Sequence, residues 1–282
     1  MRIIDAHMHF SNIASFREMA GIIGTIGYSS EGLTRECSEC GVEYAVGMGV
    51  SETGEGRFPD KSAAPLMGCD LPDKPGFLRE CVGVNPFRIN GKSLDKLKRL
   101  LKGGAAGIKI YPGYTPFTSD DKVYDPVYKL AGELGKTVVV HSGGTFSERA
   151  FLKHSRPLHT DRAAVRFRGV NFLLAHMGWP WVLEATEIAY KNGNVYMDLS
   201  GLIVGGEEEI DRVMSEPLLT DPFRQGLLFL NDYRKVLYGS DWPLVPMKPY
   251  VRFCESLIPK EARESVFYEN AAGLFGIKAE NV

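Results

Sequence analysis

Short apolar runs recur along the whole chain, and most alternate with stretches whose apolar residues fall three and four apart. The runs are Ile3–Ile4 leading into Asp5–Phe10, then Tyr44–Val50, Glu80–Asn85, Ala106–Tyr111, Thr137–His141, Asn171–His176, Val195–Leu199 and Lys235–Asp241. Period-two runs of this length predict strands, and the intervening period predicts helices. Helices are expected near Glu31–Cys40, at Ser93–Lys102 (Leu94, Leu97, Leu100 and Leu101 share one face), Pro126–Leu134, Thr160–Phe167 and Trp179–Lys191. Helical material follows between Glu207 and Asp232, around Tyr250–Leu257 and at Pro259–Phe275. Two loops break the rhythm: Ser11–Ser30, Gly-rich with a short helix around Ile13–Ala20, and the Pro/Gly segment Ser51–Gly76. Loops this long are more often functional than idle. Alternating β and α points to a parallel sheet covered by helices, and eight β runs favour closure into a (β/α)8 TIM-type barrel. No Gly-rich nucleotide fingerprint follows the first strand, which removes the main open-sheet rival. No linker or second composition regime appears, so one domain over residues 1–282 is expected.

Composition narrows the class without naming a chemistry. Of 282 residues, 44% are hydrophobic and 24% charged, as in an ordinary globular protein. The net charge of −2 leaves no basic footprint for nucleic acid and no sign of a membrane-surface protein. Five scattered cysteines argue against a disulfide framework, and Cys37-Ser-Glu-Cys40 reads as incidental helix thiols. The N-terminus carries Asp5 and two histidines where a signal peptide needs an apolar run, so a cytoplasmic location is the expectation. The expected partner is a small-molecule substrate; oligomeric state is left open, a homo-oligomer included.

The chemistry gathers at the ends of the strands. In the first, period-two alternation turns Asp5, His7 and His9 to one face and Ile4, Ala6 and Met8 to the other. His141 closes VVVH, His176 closes FLLAH and Asp241 closes VLYGSD, so four of the six histidines sit where barrel active sites lie. Singly, each has a bland reading: a backbone-satisfied histidine, or a turn aspartate. Together they suit a borderline divalent ion with nitrogen and oxygen ligands and an open position, zinc first, manganese or iron next. Such an ion lowers the pKa of bound water to about 7. A neighbouring carboxylate can pass its proton, and a neutral histidine can assist the substrate oxygen or leaving group. In GIKIYP, alternation turns Lys109 and Tyr111 into the barrel, and a buried lysine must be paired or used. Asp198 ends its strand as a partner for a ligand or for His176. Arg88 is a candidate anchor for a substrate carboxylate, and Trp179 and Trp242 either wall a pocket or pack in the core.

In that order, DAHMH, VVVHSGG, LLAHMGWPW, VYMDLSG, YGSDWPL and ENAAGLFGI resemble the amidohydrolase superfamily. The likeness is nearest to its amidohydrolase-related branch of metal-dependent hydrolases and nonoxidative decarboxylases on a distorted barrel. The resemblance implies that His7, His9, His141 and Asp241 bind one metal, with Asp241 doubling as general base. It implies that His176 is the catalytic histidine, or a ligand to a second ion if Lys109 is carboxylated as in some members; Lys109 otherwise serves an ion pair or a substrate carboxylate. The preferred expectation is a hydrolase of an amide, lactone or ester bond. The alternative is a nonoxidative decarboxylase using the same ligands, and the third reading is a non-catalytic binding barrel.

Overall fold

The computed structural model describes residues 1–53 and 59–278; residues 54–58, inside the expected Ser51–Gly76 loop, and 279–282 lie outside the described residues. In chain order come β1 (Ile3–Met8), α1 (Ala14–Ile23), α2 (Ser30–Cys40), β2 (Val42–Met48), β3 (Leu66–Met67), β4 (Leu78–Val84), α3 (Gly91–Lys102) and β5 (Gly107–Ile110). Then follow α4 (Asp125–Glu133), β6 (Thr137–Val140), α5 (Leu152–Ser155), α6 (Leu158–Arg166), β7 (Phe172–Leu174), α7 (Val182–Lys191) and β8 (Val195–Asp198). The last are α8 (Glu207–Ser215), α9 (Pro217–Leu230), β9 (Val236–Leu237), α10 (Met247–Leu257) and α11 (Asn270–Phe275).

Apart from β3, which pairs antiparallel with β4 off the main path, the strands run parallel in the order β1-β2-β4-β5-β6-β7-β8-β9. The ring closes between the last strand and the first: Ala6 N–H donates to the Tyr238 carbonyl at 2.9 Å and Asp241 N–H to the His7 carbonyl at 2.8 Å. This is the expected (β/α)8 barrel. Its elements start and stop where local chemistry directs. Ser29 caps α2 by accepting from Gly32 N–H, Asn90 and Ser93 form a capping box on α3, and Gly24 and Gly41 end α1 and α2 in the left-handed conformation.

Two apolar layers hold the barrel. The shell layer packs one face of the strands (Ile3, Ala45, Ile108, Ile110, Val138, Leu174) against the helices. The inner layer joins Ile4, Ala6, Val46, Val139, Leu173 and Leu237 with Tyr268, Ala271 and Phe275, so α11 closes the end where the strands begin. The opposite end stays open for polar groups. Burying each large aliphatic or aromatic side chain in these layers contributes about 1.5–3 kcal/mol before entropy is counted.

One expectation from alternation is overturned. Ile4 and Ala6 belong to the inner layer and Ile3 and Met8 to the shell, and the β1–β2 register shifts between Asp5 and Met8. The pleat therefore slips by one residue. His7 and His9 still share the inner face, but Asp5 does not join them: it is on the shell side, where its charge is felt by Cys37 and Cys254 on α2 and α10. Among the described residues no helix is long and apolar enough to cross a membrane.

Candidate functional site

The open end of the barrel holds a cavity of about 290 Å³. His9, Lys109, His141, His176 and Asp241 line its floor, drawn from β1, β5, β6, β7 and β9 or the turns just beyond them. Donor atoms of His7, His9 and Asp241 all lie within 4.8 Å of one another. Asp241 Oδ1 is 3.1 Å from His9 Nε2 and 3.6 Å from His7 Nε2. Among the described residues Oδ1 is buried with no aligned hydrogen-bond donor, and His9 Nδ1 likewise has no partner. Buried polar atoms are rarely left so. A carboxylate oxygen and imidazole nitrogens converging without full hydrogen bonding are a donor set that fits a divalent cation.

His7 is fully buried, and Asp198 orients it. Its Nδ1–H donates to Asp198 Oδ2 at 2.9 Å, which leaves the Nε2 lone pair facing Asp241 and Lys109. Burial first, then the charge of Lys109, pushes the His7 imidazole down to about 4, so it is neutral at neutral pH, as a ligand must be. Asp198 Oδ1 accepts from His176 N–H (3.0 Å), Ser200 N–H (3.1 Å) and the Ser200 hydroxyl (2.5 Å). With both oxygens engaged, Asp198 serves as an orienting acceptor, although His7, His176 and Asp198 also cluster within 4.8 Å.

His176 Nδ1 lies 3.0 Å from the Ser200 carbonyl. A carbonyl only accepts, so Nδ1 carries the proton and Nε2 the lone pair. Burial lowers the pKa of His176. For Asp241, burial pushes upward, but the imidazoles of His176 and His9 outweigh it and hold the carboxyl below the usual range. Both His176 and Asp241 adopt left-handed backbones, φ 62° and 66°. Gly201 keeps the space between them clear: a Cβ there would lie 2.7 Å from both Asp241 Oδ2 and His176 Nδ1.

His141 lines the same cavity, its ring 5.1 Å from that of His176. The structure does not bring it into the close donor groups, and its Nε2 lies 3.0 Å from the Gly144 carbonyl. Lys109 is 1% exposed, with its ammonium 3.4 Å from His7 Nε2 and no ion pair among the described residues. Burial pushes it down to about 8, against the attraction of Asp198 and Asp241. Tyr111 and Trp179 stand in the cavity wall.

Two expected site residues lie elsewhere. Arg88 is exposed, with its guanidinium turned toward the Ser62 and Ala63 carbonyls (3.5 and 3.3 Å). Asn85 caps a 3-10 turn over Pro86–Arg88 that carries the side chain away from the cavity. Trp242 is fully buried in the shell layer, its Nε1–H donating to Glu36 Oε1 at 3.0 Å; it packs rather than walls. Sequence reasoning missed Phe16, Tyr114, Phe146, Leu202 and Leu244, which form much of the remaining wall. Phe16 comes from α1, and the others come from loops without a periodic signal. Gly201 had one: it follows Asp198 within DLSG.

A family model described as amidohydrolase matches residues 4–277. No curated protein matches the chain. Among solved structures, a TIM-barrel protein of Bordetella bronchiseptica described as uncharacterized is 22% identical with a TM-score of 0.72, covering 98% of this chain and 99% of that one. A dihydroxybenzoic acid decarboxylase from Polaromonas, with bound manganese and the inhibitor 2-nitroresorcinol, is 15% identical with a TM-score of 0.68, covering 100% and 99%. A probable 2-pyrone-4,6-dicarboxylic acid hydrolase from Acinetobacter baumannii is 13% identical with a TM-score of 0.62, covering 98% and 100%. At these identities the neighbours speak for the fold.

Proposed function

The chain belongs to the amidohydrolase family, and from that membership we propose that it is a metal-dependent hydrolase of an amide, lactone or ester bond in a small molecule. The observation that carries this reading is the convergence of His7 Nε2, His9 Nε2 and the unsatisfied Asp241 Oδ1 at the floor of a barrel-mouth cavity. His7, His9 and Asp241 are assigned to the ion, with His141 offering Nδ1 because its Nε2–H is taken by Gly144. Zinc suits these donors best, and manganese or iron is the alternative; the manganese of the Polaromonas decarboxylase supports the second choice. A divalent ion there would supply Lewis acidity and lower the pKa of a bound water to about 7.

The residues around it have separable tasks. Asp241, held ionised by the surrounding imidazoles, accepts the proton of the attacking water. His176, with its proton fixed on Nδ1 by Ser200, presents Nε2 to the substrate oxygen or leaving group. Lys109 offers a buried cation to a substrate oxyanion or carboxylate, and one ion is assigned in preference to a pair bridged by a carboxylated lysine. Tyr111 and Trp179 hold the substrate body and keep water out.

Nonoxidative decarboxylation is the second reading, supported by the decarboxylases among the structural neighbours and by the aromatic wall. It uses the same ligands, with His176 or Asp241 delivering a proton to carbon as carbon dioxide leaves, and it is placed second because the family model that matches is described as amidohydrolase. A panel of lactones, esters, amides and 2,6-dihydroxybenzoate turned over in ¹⁸O-water separates the two. Hydrolysis puts solvent oxygen into the organic product; carbon dioxide release with an unlabelled organic product would overturn it. Elemental analysis tests the centre itself: His7→Ala with His9→Ala is expected to hold less than about a tenth of an equivalent of metal, and retained metal would remove the chelate.

A further inference from the structure

Behind the cavity lies a buried carboxylate that the chemistry above does not use. Glu36, on the shell helix α2, is 8% exposed and makes no ion pair among the described residues. Acidic side chains are almost never buried unless paired. Both its oxygens are committed to one loop: Oε1 accepts from Trp242 Nε1–H at 3.0 Å and Oε2 from Met247 N–H at 2.9 Å. Met247 opens α10, whose N-cap Pro246 provides no side-chain cap. Glu36 therefore caps α10 from another helix, and the helix dipole takes the place of a counter-ion.

That loop carries the site. Trp242 directly follows Asp241, its carbonyl accepts the backbone N–H of His9 at 2.7 Å, and its own N–H donates to Ser240 Oγ at 2.9 Å. Ser240 is gripped in turn by Asp5, which accepts its N–H at 3.0 Å and its hydroxyl at 2.5 Å. Both buried carboxylates thus hold the Ser240–Met247 segment from the shell side, and its inner side presents Asp241 with a left-handed backbone. A shift of the Trp242 backbone is felt by Asp241 through the chain and by His9 through the hydrogen bond.

We propose that Glu36 is a positioning residue for the metal centre: by locking the Trp242 indole to the start of α10 it sets the separation of His9 and Asp241, and through it the affinity for the ion. The inference rests on the metal reading above. Its test titrates metal-free protein with Co²⁺, reading the dissociation constant by chelator competition, the visible d–d absorption, and the melting temperature without metal. Glu36→Gln turns an N–H donor toward one of the two N–H groups and is expected to weaken Co²⁺ binding 10–100-fold, as loss of other ligand-supporting partners does, with altered d–d bands. Trp242→Phe keeps a ring and removes the N–H; it should weaken binding in the same direction, and Glu36→Gln added to it should cost less than in the wild type. A Glu36→Gln protein that melts earlier but keeps the wild-type affinity and spectrum would overturn the proposal. If that variant does not fold, an unchanged affinity and spectrum in Trp242→Phe would overturn it equally. Failure of the metal reading shows itself separately, as Co²⁺ retained by the protein carrying both His7→Ala and His9→Ala.

Discussion

The loops that follow β7 and β9 both pass from a strand end through a left-handed residue to a Trp-Pro pair: His176 then Trp179, Asp241 then Trp242. Beyond the polar residue they diverge. Trp179 is half-buried in the cavity wall, its ring edge-on to Phe223 at 5.0 Å. Trp242 is driven into the shell, with its indole N–H on Glu36. Their polar residues differ as well. His176 is tied at Nδ1 to Ser200 and leaves Nε2 free of that bond, whereas Asp241 faces two imidazoles with an oxygen that no aligned donor satisfies among the described residues. On the proposed reading, two loops that share a left-handed polar residue and a Trp-Pro pair would serve a proton carrier with a substrate wall in one case and a cation ligand with a structural anchor in the other. The partner each ring meets makes the difference.

Removing the two polar residues breaks the comparison most sharply. Asp241→Asn is expected to lose both metal content and turnover, whereas His176→Gln should keep a full equivalent of metal and lose about 10²–10⁴ in kcat. Elemental analysis beside steady-state kinetics checks this, and equal metal loss in both would place the two residues in one role. Next in size is the contrast between the rings. Trp242→Ala leaves a cavity in the shell and should cost about 3–5 kcal/mol of stability in urea denaturation. Trp179→Ala should raise KM while costing about 1 kcal/mol or less.

The smallest expected effect sharpens the electrostatics that both loops share. Lys109 feels Asp198 and Asp241, and in the folded protein it is pushed from 10.5 down to about 8. Between those values the unfolded chain binds the proton and the folded one does not, so this group makes stability rise with pH across that window. Metal-free Lys109→Met should therefore gain on the wild type at pH 7 and lose that lead as the pH climbs past about 8 toward 10.5. Parallel denaturation curves cancel the tyrosines and cysteines common to both proteins. A constant difference would mean that Lys109 is not desolvated in the way its burial indicates.

Much of the fold was legible because strands and helices announce themselves locally. The runs ending at His141, His176 and Asp241 became barrel strands or the turns just past them, and Lys109 faces the cavity as alternation required. Alternation failed at Asp5, where a slipped pleat moved one carboxylate to the shell; a bulge arises from pairing with a neighbouring strand and leaves no mark in a period-two pattern. Arg88 was misread for a similar reason, since the Asn85-capped turn that swings it outward is completed by contacts with Ser62 and Ala63.

The sequence by itself determined the order of the strands, the end of the barrel at which polar groups collect, and the common face of His7 and His9. Each follows from covalent geometry and near-neighbour periodicity. Only the tertiary structure decided that Trp242 is an anchor, that Glu36, 206 positions earlier, holds it, and that Asp5 grips Ser240 from outside. A buried donor or acceptor takes whichever partner the packed chain brings within 3 Å or so, and sequence distance places no bound on where that partner comes from.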